Sequence, residues 1–132
     1  MTNIDSTRCE DKVPVNGKPL IDLSYLDEMM NGNKTLIREI LDLFLQQVPE
    51  ELTKINSAIA QTNYAMIKTL AHSMRSSFSV LDVASLTPIL QEMEDLSSKS
   101  TDLPRIQLLN SSLQILTLRA IEEVTTGRRQ YD

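Results

Sequence analysis

The chain contains a single histidine, His72, whose neighbours could accommodate a phosphoryl group. Side chains on its side of the predicted helix, at about 100° per residue, are Lys68, Arg75, Ser76 and Ser79. Cations and small hydroxyl residues neither repel nor obstruct an anion. A solvent-facing neutral imidazole is also a competent nucleophile toward an activated phosphoryl group. These neighbours indicate phosphoryl acceptance by His72 as one reading, and the other is a merely tolerated polar residue on a wet helix face, which is the commoner case for a histidine on an arbitrary helix.

The stretch that holds His72, residues 63–82 (NYAMIKTLAHSMRSSFSVLD), has the hydrophobic period of an amphipathic helix. Six apolar residues fall into one stripe about 100° wide: Ile67, Leu70, Ala71, Met74, Phe78 and Leu81. His72 lies about 140° from the middle of that stripe. We therefore predict a helix with one buried face and an imidazole that points at water.

The sequence lacks the residues that several other kinds of catalytic or metal site require. It has no glycine-rich phosphate loop, no glycine-flanked serine and no second histidine, which disfavours a P-loop, a Ser-His-Asp site and a histidine-rich metal site. Nothing would bind ATP, and no carboxylate is expected near His72 to hold Mg²⁺. We predict a module without cofactor, metal or autonomous catalytic machinery, whose phosphoryl donor is activated by another protein.

Composition points to one helical domain. The chain has 132 residues, 41% of them hydrophobic, with few aromatic residues and only three glycines. A net charge of −5, with basic residues concentrated only at Arg128 and Arg129, disfavours a nucleic-acid partner. The single Cys9 fits a reducing compartment, and no apolar run reaches the roughly 18 residues that span a bilayer. We expect a cytoplasmic location and no direct membrane contact.

Hydrophobic period and capping residues divide the chain. Residues 1–19 are predicted as a flexible tail or linker, 20–127 as a helical bundle, and 128–132 as a short C-terminal tail. A short helix follows Ser24 as N-cap, and a long one follows Asn33 and continues to about Thr62. Pro49 lies inside the long pattern, so either one bent helix or two helices are expected.

Two further helices follow the histidine helix. One is expected from Thr87 as N-cap with Pro88 at its first position, or from Val83. Its predicted outer face carries Glu92, Glu94 and Asp95. The last should run from Asp102 to about Thr126 and end at Gly127. Short links between these segments predict an all-α fold: an antiparallel up-down-up-down four-helix bundle with a short extra N-terminal helix.

Residues 71–81, AHSMRSSFSVL, resemble the signature A-H-x-L-K-G-S-x-x-x-L-G of histidine-containing phosphotransfer (HPt) domains of two-component phosphorelays. The long helix with its proline, and the stretch 86–94 that resembles L-x-x-x-L-x-x-x-E, extend the resemblance over about residues 20–124. It implies that His72 is the phosphoacceptor and that Arg75, in the place of the usual lysine, neutralises phosphate charge. Ser76 and Asp82 depart from the usual glycines.

The resemblance also implies a function. The chain would accept a phosphoryl group on His72 from a receiver-domain aspartyl phosphate and pass it to another receiver, with Mg²⁺ held by the receiver. Expected partners are response-regulator receiver domains and a hybrid sensor histidine kinase, and the chain is expected to be a monomer. It could stand alone or form the cytoplasmic part of a larger membrane-bound hybrid kinase. The alternative is an HPt-like binding module that docks a receiver or kinase without accepting phosphate.

Overall fold

The computed structural model describes residues 20–81 and 83–131 and folds these ranges into helices without strands. The elements are α1 (Leu23–Met29), α2 (Lys34–Ala60), α3 (Tyr64–Ser79), α4 (Thr87–Ser98), α5 (Leu103–Arg128) and a 3₁₀ turn (Arg129–Tyr131). The all-α fold class is confirmed. The predictions for residues 1–19, including Cys9, and for Asp82 fall outside the described residues.

The long helix α2 continues through Pro49, so the single-helix alternative is the correct one. Asn33 caps its N-terminus as predicted, since its side-chain oxygen accepts a hydrogen bond from the backbone N–H of Leu36 at 3.1 Å. Residues on both sides of the proline bury the same face, among them Val48 and Leu52. The energy of this continuous packing offsets the backbone hydrogen bond that proline cannot make.

The core lies between the four long helices. α3 packs between α2 and α4, and α5 closes the ring by contacting α2 and α4. All six residues of the stripe predicted on the histidine helix are buried. Phe78 meets Phe44 of α2 edge to face, with ring centroids 5.6 Å apart. Burying side chains of this size contributes about 1.5–3 kcal/mol each, so the orientation of α3 is fixed by the face opposite His72.

Several helix ends differ from the predictions. α1 is capped by Asp22, whose carboxylate accepts the N–H of Ser24 at 3.0 Å, so Ser24 is not the cap. α3 ends at Ser79, before the predicted end. Thr87 is the first residue of α4 and not its cap, because the cap position is held by Leu86 without a side-chain hydrogen bond. Asp102 caps α5 as predicted, accepting from the N–H of Arg105 at 3.3 Å.

The C-terminal residues continue the bundle. α5 passes through Gly127, which therefore does not end the helix; a Cβ at this position would collide with the side chain of Leu23 in α1. Close packing of α1 on α5 explains the glycine better than a left-handed cap does. The described residues 128–131 differ from the predicted tail, since Tyr131 is 8% exposed and its carbonyl accepts from Arg38 at 3.4 Å.

A carboxylate of α5 holds the start of the described chain. Glu123 accepts hydrogen bonds from the backbone N–H groups of Leu20 at 3.0 Å and Ile21 at 2.9 Å. These donors precede α1 and have no helical partner of their own, so the carboxylate satisfies both. In the described ranges, we find no helix with the length and apolar character that crossing a membrane requires.

Candidate functional site

His72 lies in the middle of α3, on the side that faces solvent. Its side chain is 62% exposed, while Ala71 before it and Met74 after it are fully buried. The helical period alone produces this contrast, because residues one and two positions apart point to different sides of a helix. The imidazole is therefore accessible to another macromolecule and held on a rigid element.

A carboxylate of the neighbouring helix contacts one ring nitrogen of His72. Glu94 of α4 places Oε2 3.1 Å from Nδ1, and its side chain is only 15% exposed. A carboxylate accepts hydrogen bonds and does not donate them, so we assign the proton of the neutral imidazole to Nδ1. The unshared electron pair then lies on Nε2, which has no hydrogen-bond partner within the described part of the chain.

Arg75 joins the same carboxylate. Its Nη2 lies 3.2 Å from Oε1 of Glu94, and its Nη1 donates to the side-chain oxygen of Gln91 on α4. Oε2 of Glu94 thus accepts a hydrogen bond from Nδ1–H of His72, while Oε1 forms an ion pair with Arg75 and is buried without a hydrogen bond in the described ranges. Nη2 also lies 3.3 Å from Nδ1 of His72, and because a guanidinium only donates, that contact would need the other tautomer; we assign the proton from the shorter contact with the Glu94 carboxylate. Arg75 is near the imidazole, as predicted, on its Nδ1 side.

The other predicted neighbours are placed less closely. Lys68 is exposed one turn before His72, and we find no hydrogen bond or ion pair for it among the described residues. Ser76 is exposed one turn after it. Ser79 is about two turns from His72, and its hydroxyl already donates to the carbonyl of Ser76 at 2.7 Å. The structure therefore brings Arg75 to the ring, leaves Lys68 and Ser76 beside it, and does not bring the Ser79 hydroxyl to it.

A second carboxylate lies on the α2 side of α3. Ser73 donates its hydroxyl to Oε2 of Glu51 at 2.6 Å, and Oε1 of Glu51 is buried without a hydrogen-bond partner in the described ranges. This bond ties α3 to α2 next to His72. The residue that bears the imidazole is therefore flanked by polar links to both neighbouring helices.

The expectation that no carboxylate lies near His72, with Glu94 on a solvated outer face, was wrong. Three acidic residues were predicted on the outer face of α4. One of them, Glu92, pairs with Arg105 of α5 at 2.6 Å, and that guanidinium lowers the pKa of the Glu92 carboxyl. Asp95 is exposed. Glu94 instead turns toward α3 and is mostly covered. One sequence signal pointed to it, since Glu94 is the glutamate that ends the stretch resembling L-x-x-x-L-x-x-x-E.

The arrangement can perform nucleophilic attack through Nε2. A carboxylate that holds Nδ1–H fixes the tautomer and stabilises the positive charge that develops on the ring during attack. Across the described ranges, no group of three or more His, Cys, Asp or Glu residues could hold a metal ion. The site thus offers a positioned nucleophile beside a neutralised carboxylate.

Comparisons with known proteins bear on the family and the fold of the chain. The family model described as "Hpt domain" matches residues 39–125. The fold is similar to the crystal structure of histidine-containing phosphotransfer protein B (HptB) from Pseudomonas aeruginosa PAO1, with a TM-score of 0.78 and 18% sequence identity over 86% of this chain and 98% of that one. At this identity, the likeness establishes a shared fold. A search of curated proteins found no match.

Proposed function

The chain belongs to the Hpt domain family, whose members are phosphocarrier modules of two-component systems and not catalytic enzymes, and we propose that its phosphoacceptor is His72. The observation that carries the proposal is the exposed imidazole whose Nδ1 is occupied by Glu94. A histidine that was merely tolerated at the surface would need neither a fixed tautomer nor a carboxylate that is largely covered by two helices. This histidine has both.

The proposed step is an in-line displacement at phosphorus. The electron pair of Nε2 attacks the phosphorus of an aspartyl phosphate, the Nε2–P bond forms, and the O–P bond breaks so that the aspartate leaves as a carboxylate. No proton has to leave the ring, because Nε2 carries none in the assigned tautomer. The product ring keeps its proton on Nδ1 and is positively charged, which the Glu94 carboxylate at 3.1 Å stabilises.

The same geometry supports transfer in the other direction. A phosphorylated imidazole that retains Nδ1–H leaves as a neutral ring, which is a better leaving group than an imidazolate anion would be. Lys68, exposed one turn away, supplies positive charge on the solvent side, where a phosphoryl group on Nε2 would lie. The site therefore favours a carrier that both receives and donates its phosphoryl group.

We propose response-regulator receiver domains as donor and acceptor, the type of partner with which Hpt domains interact together with kinases. The receiver would supply Mg²⁺ and the groups that activate its aspartyl phosphate, since the described residues of this chain offer no cluster of metal ligands. The receiver-to-receiver order, the monomeric state and the cytoplasmic location remain predictions. Testing the order requires two receivers, one phosphorylated at the start and one not.

The test is phosphotransfer from phosphorylated receiver domains of the same genome to this protein. We expect label that is lost in acid, retained in alkali and mapped to the peptide containing the chain's one histidine, and we expect no label on His72→Gln. Ser112→Ala, an exposed change on α5, is the matched control and should be labelled like the wild type. Label that persists on His72→Gln would refute the assignment.

The same variants test the alternative of a binding module that does not accept phosphate. In that case no receiver transfers label to the wild type, and binding of a receiver or kinase is unchanged by His72→Ala. Binding measured by calorimetry beside the transfer assay separates the two functions. Under the proposal, transfer disappears in the variant whether or not binding survives.

A further inference from the structure

Arg75 is held away from the atom that the proposed function requires it to serve. Its guanidinium is bound on two sides by α4, through Gln91 and through Glu94, and its side chain is 29% exposed. The guanidinium reaches the imidazole on its Nδ1 side, where Nη2 lies 3.3 Å from that atom. A phosphoryl group would be attached to Nε2, on the other side of the ring. Neutralising that group would require Arg75 to give up at least one of its present partners.

Gln91 is the partner of Arg75 that does not also contact His72. Its side-chain oxygen accepts from Nη1 of Arg75, and its side-chain nitrogen donates to Asp95 at 3.1 Å, one turn further along α4. The second bond orients the amide, because an amide whose nitrogen is held by Asp95 must present its oxygen to Arg75. We find no polar contact between Gln91 and His72 among the described residues.

The two bonds to Arg75 are unequal. The link between Glu94 and Arg75 is an ion pair between opposite charges at 3.2 Å, and the same carboxylate also holds His72. The amide of Gln91 is neutral, and a phosphoryl dianion is a much stronger acceptor for the same donor. When a dianion becomes available within reach of Nη1, the bond to Gln91 is the weaker competitor.

We propose that Gln91 is a positioning residue that holds Arg75 on the Nδ1 side of His72 before phosphorylation and releases it to the phosphoryl group afterwards. This rests on His72 being the phosphoacceptor. The bond between Arg75 and Gln91 stabilises only the unphosphorylated state, since Nη1 turns to a phosphoryl oxygen in the other. Gln91 thereby lowers the equilibrium level of phosphohistidine and favours passing the group on.

The level can be measured without a partner protein. Phosphoramidate transfers its phosphoryl group to Nε2: its N–P bond breaks, the Nε2–P bond forms, and the nitrogen leaves as ammonia after taking up a proton from solvent. Added ammonium drives the reverse reaction, so the ratio of phosphohistidine to free histidine at fixed phosphoramidate and ammonium is an equilibrium quantity. Phosphorus NMR of the full chain reports this ratio, approached from both sides.

We expect Gln91→Met, which keeps the length of the side chain and removes the hydrogen bonds, to raise this ratio about three- to tenfold, the effect of one ordinary hydrogen bond. Gln91→Ala should raise it equally. In an Arg75→Ala background, neither change should have an effect, since no guanidinium is left to hold. Gln107→Ala, an exposed glutamine on α5, is the matched control and should leave the ratio unchanged.

An unchanged or lowered ratio in both Gln91 variants would overturn the inference, as would a rise of the same size in the Arg75→Ala background. Either result leaves the proposed function standing if the wild type carries phosphohistidine on His72. Absence of phosphohistidine in the wild type would instead contradict the proposed function and this inference together. Thermal unfolding of each variant, expected to match the wild type, excludes loss of fold as the cause.

Discussion

Replacing Glu94 by glutamine tests the tautomer on which the proposed chemistry depends. The carboxylate uses both oxygens, Oε2 for Nδ1 of His72 at 3.1 Å and Oε1 for Nη2 of Arg75 at 3.2 Å. A glutamine in the same position has one accepting oxygen and one donating nitrogen. If its nitrogen faces Arg75, two donors oppose each other. If its nitrogen faces Nδ1, the ring must carry its proton on Nε2 and loses the attacking electron pair.

The magnitude follows from the bond that is lost. A hydrogen bond to a charged group contributes about 1.5–3 kcal/mol when its partners are well covered. Glu94 is covered, but the imidazole is 62% exposed, so solvent screening reduces the difference to about 1 kcal/mol. We therefore expect Glu94→Gln to slow phosphoryl transfer about fivefold. Stability should change little, because the volume of the side chain is kept.

The assay combines a rate with a spectrum. Single-turnover transfer from a phosphorylated receiver gives the rate, and ¹⁵N resonances of the imidazole distinguish a protonated Nδ1 from a protonated Nε2. The matched control is Glu92→Gln on the same helix, which removes a carboxylate bonded to Arg105 and not to the site. Wild-type transfer and an unchanged ¹⁵N pattern in Glu94→Gln would refute the assigned role of Glu94, while the control should behave as wild type in either case.

Two predictions concern the ends of the bundle. Glu123→Ala should destabilise the fold by about 1–3 kcal/mol and speed amide exchange at Leu20 and Ile21, because their N–H groups lose their acceptor. The exposed control is Glu122→Ala, and exchange in Glu123→Ala that equals exchange in this control would contradict the prediction. Burial, and to a lesser extent the charge of Asp27, raises the pKa of Tyr131 above 10.0. The stability contributed by the neutral phenol is therefore complete below that pH and lost as pH rises through the folded-state pKa. Urea unfolding from about pH 9 to about pH 11 should reveal a loss that Tyr131→Phe lacks.

Patterns within one helix were the most predictable features of this protein. The buried stripe of α3 and the exposure of His72 follow from a period that depends only on the residue's own helix. The caps at Asn33 and Asp102 likewise depend on a side chain and an N–H three residues away. The predicted cap was wrong where tertiary packing decides the helix start. The cap position of α4 is held by Leu86, which is buried and makes no side-chain hydrogen bond.

The environment of His72 could not be predicted from the helix that bears it. A helical wheel divides a surface into inside and outside, and Glu94 belongs to neither side: it lies in the seam where α3 and α4 meet. Its position depends on how the two helices are offset along their axes, which the pattern of each helix alone does not specify. The same reason explains Ser73 and Glu51, which meet in the seam between α2 and α3.

A carboxylate against the imidazole would by itself count against phosphoryl transfer, because it repels an approaching dianion. Here its position and its pairing reverse that conclusion. Glu94 lies at Nδ1, the ring atom away from the attacking Nε2, and Arg75 balances its charge at 3.2 Å. Because Glu94 and Arg75 balance each other, the exposed Lys68 makes the net charge around the imidazole positive. Arg75→Ala should therefore impair phosphoryl acceptance more than Lys68→Ala does. The first variant removes a phosphate-neutralising cation and also leaves the charge of Glu94 unbalanced. Equal effects of the two variants on single-turnover transfer would contradict this division of roles.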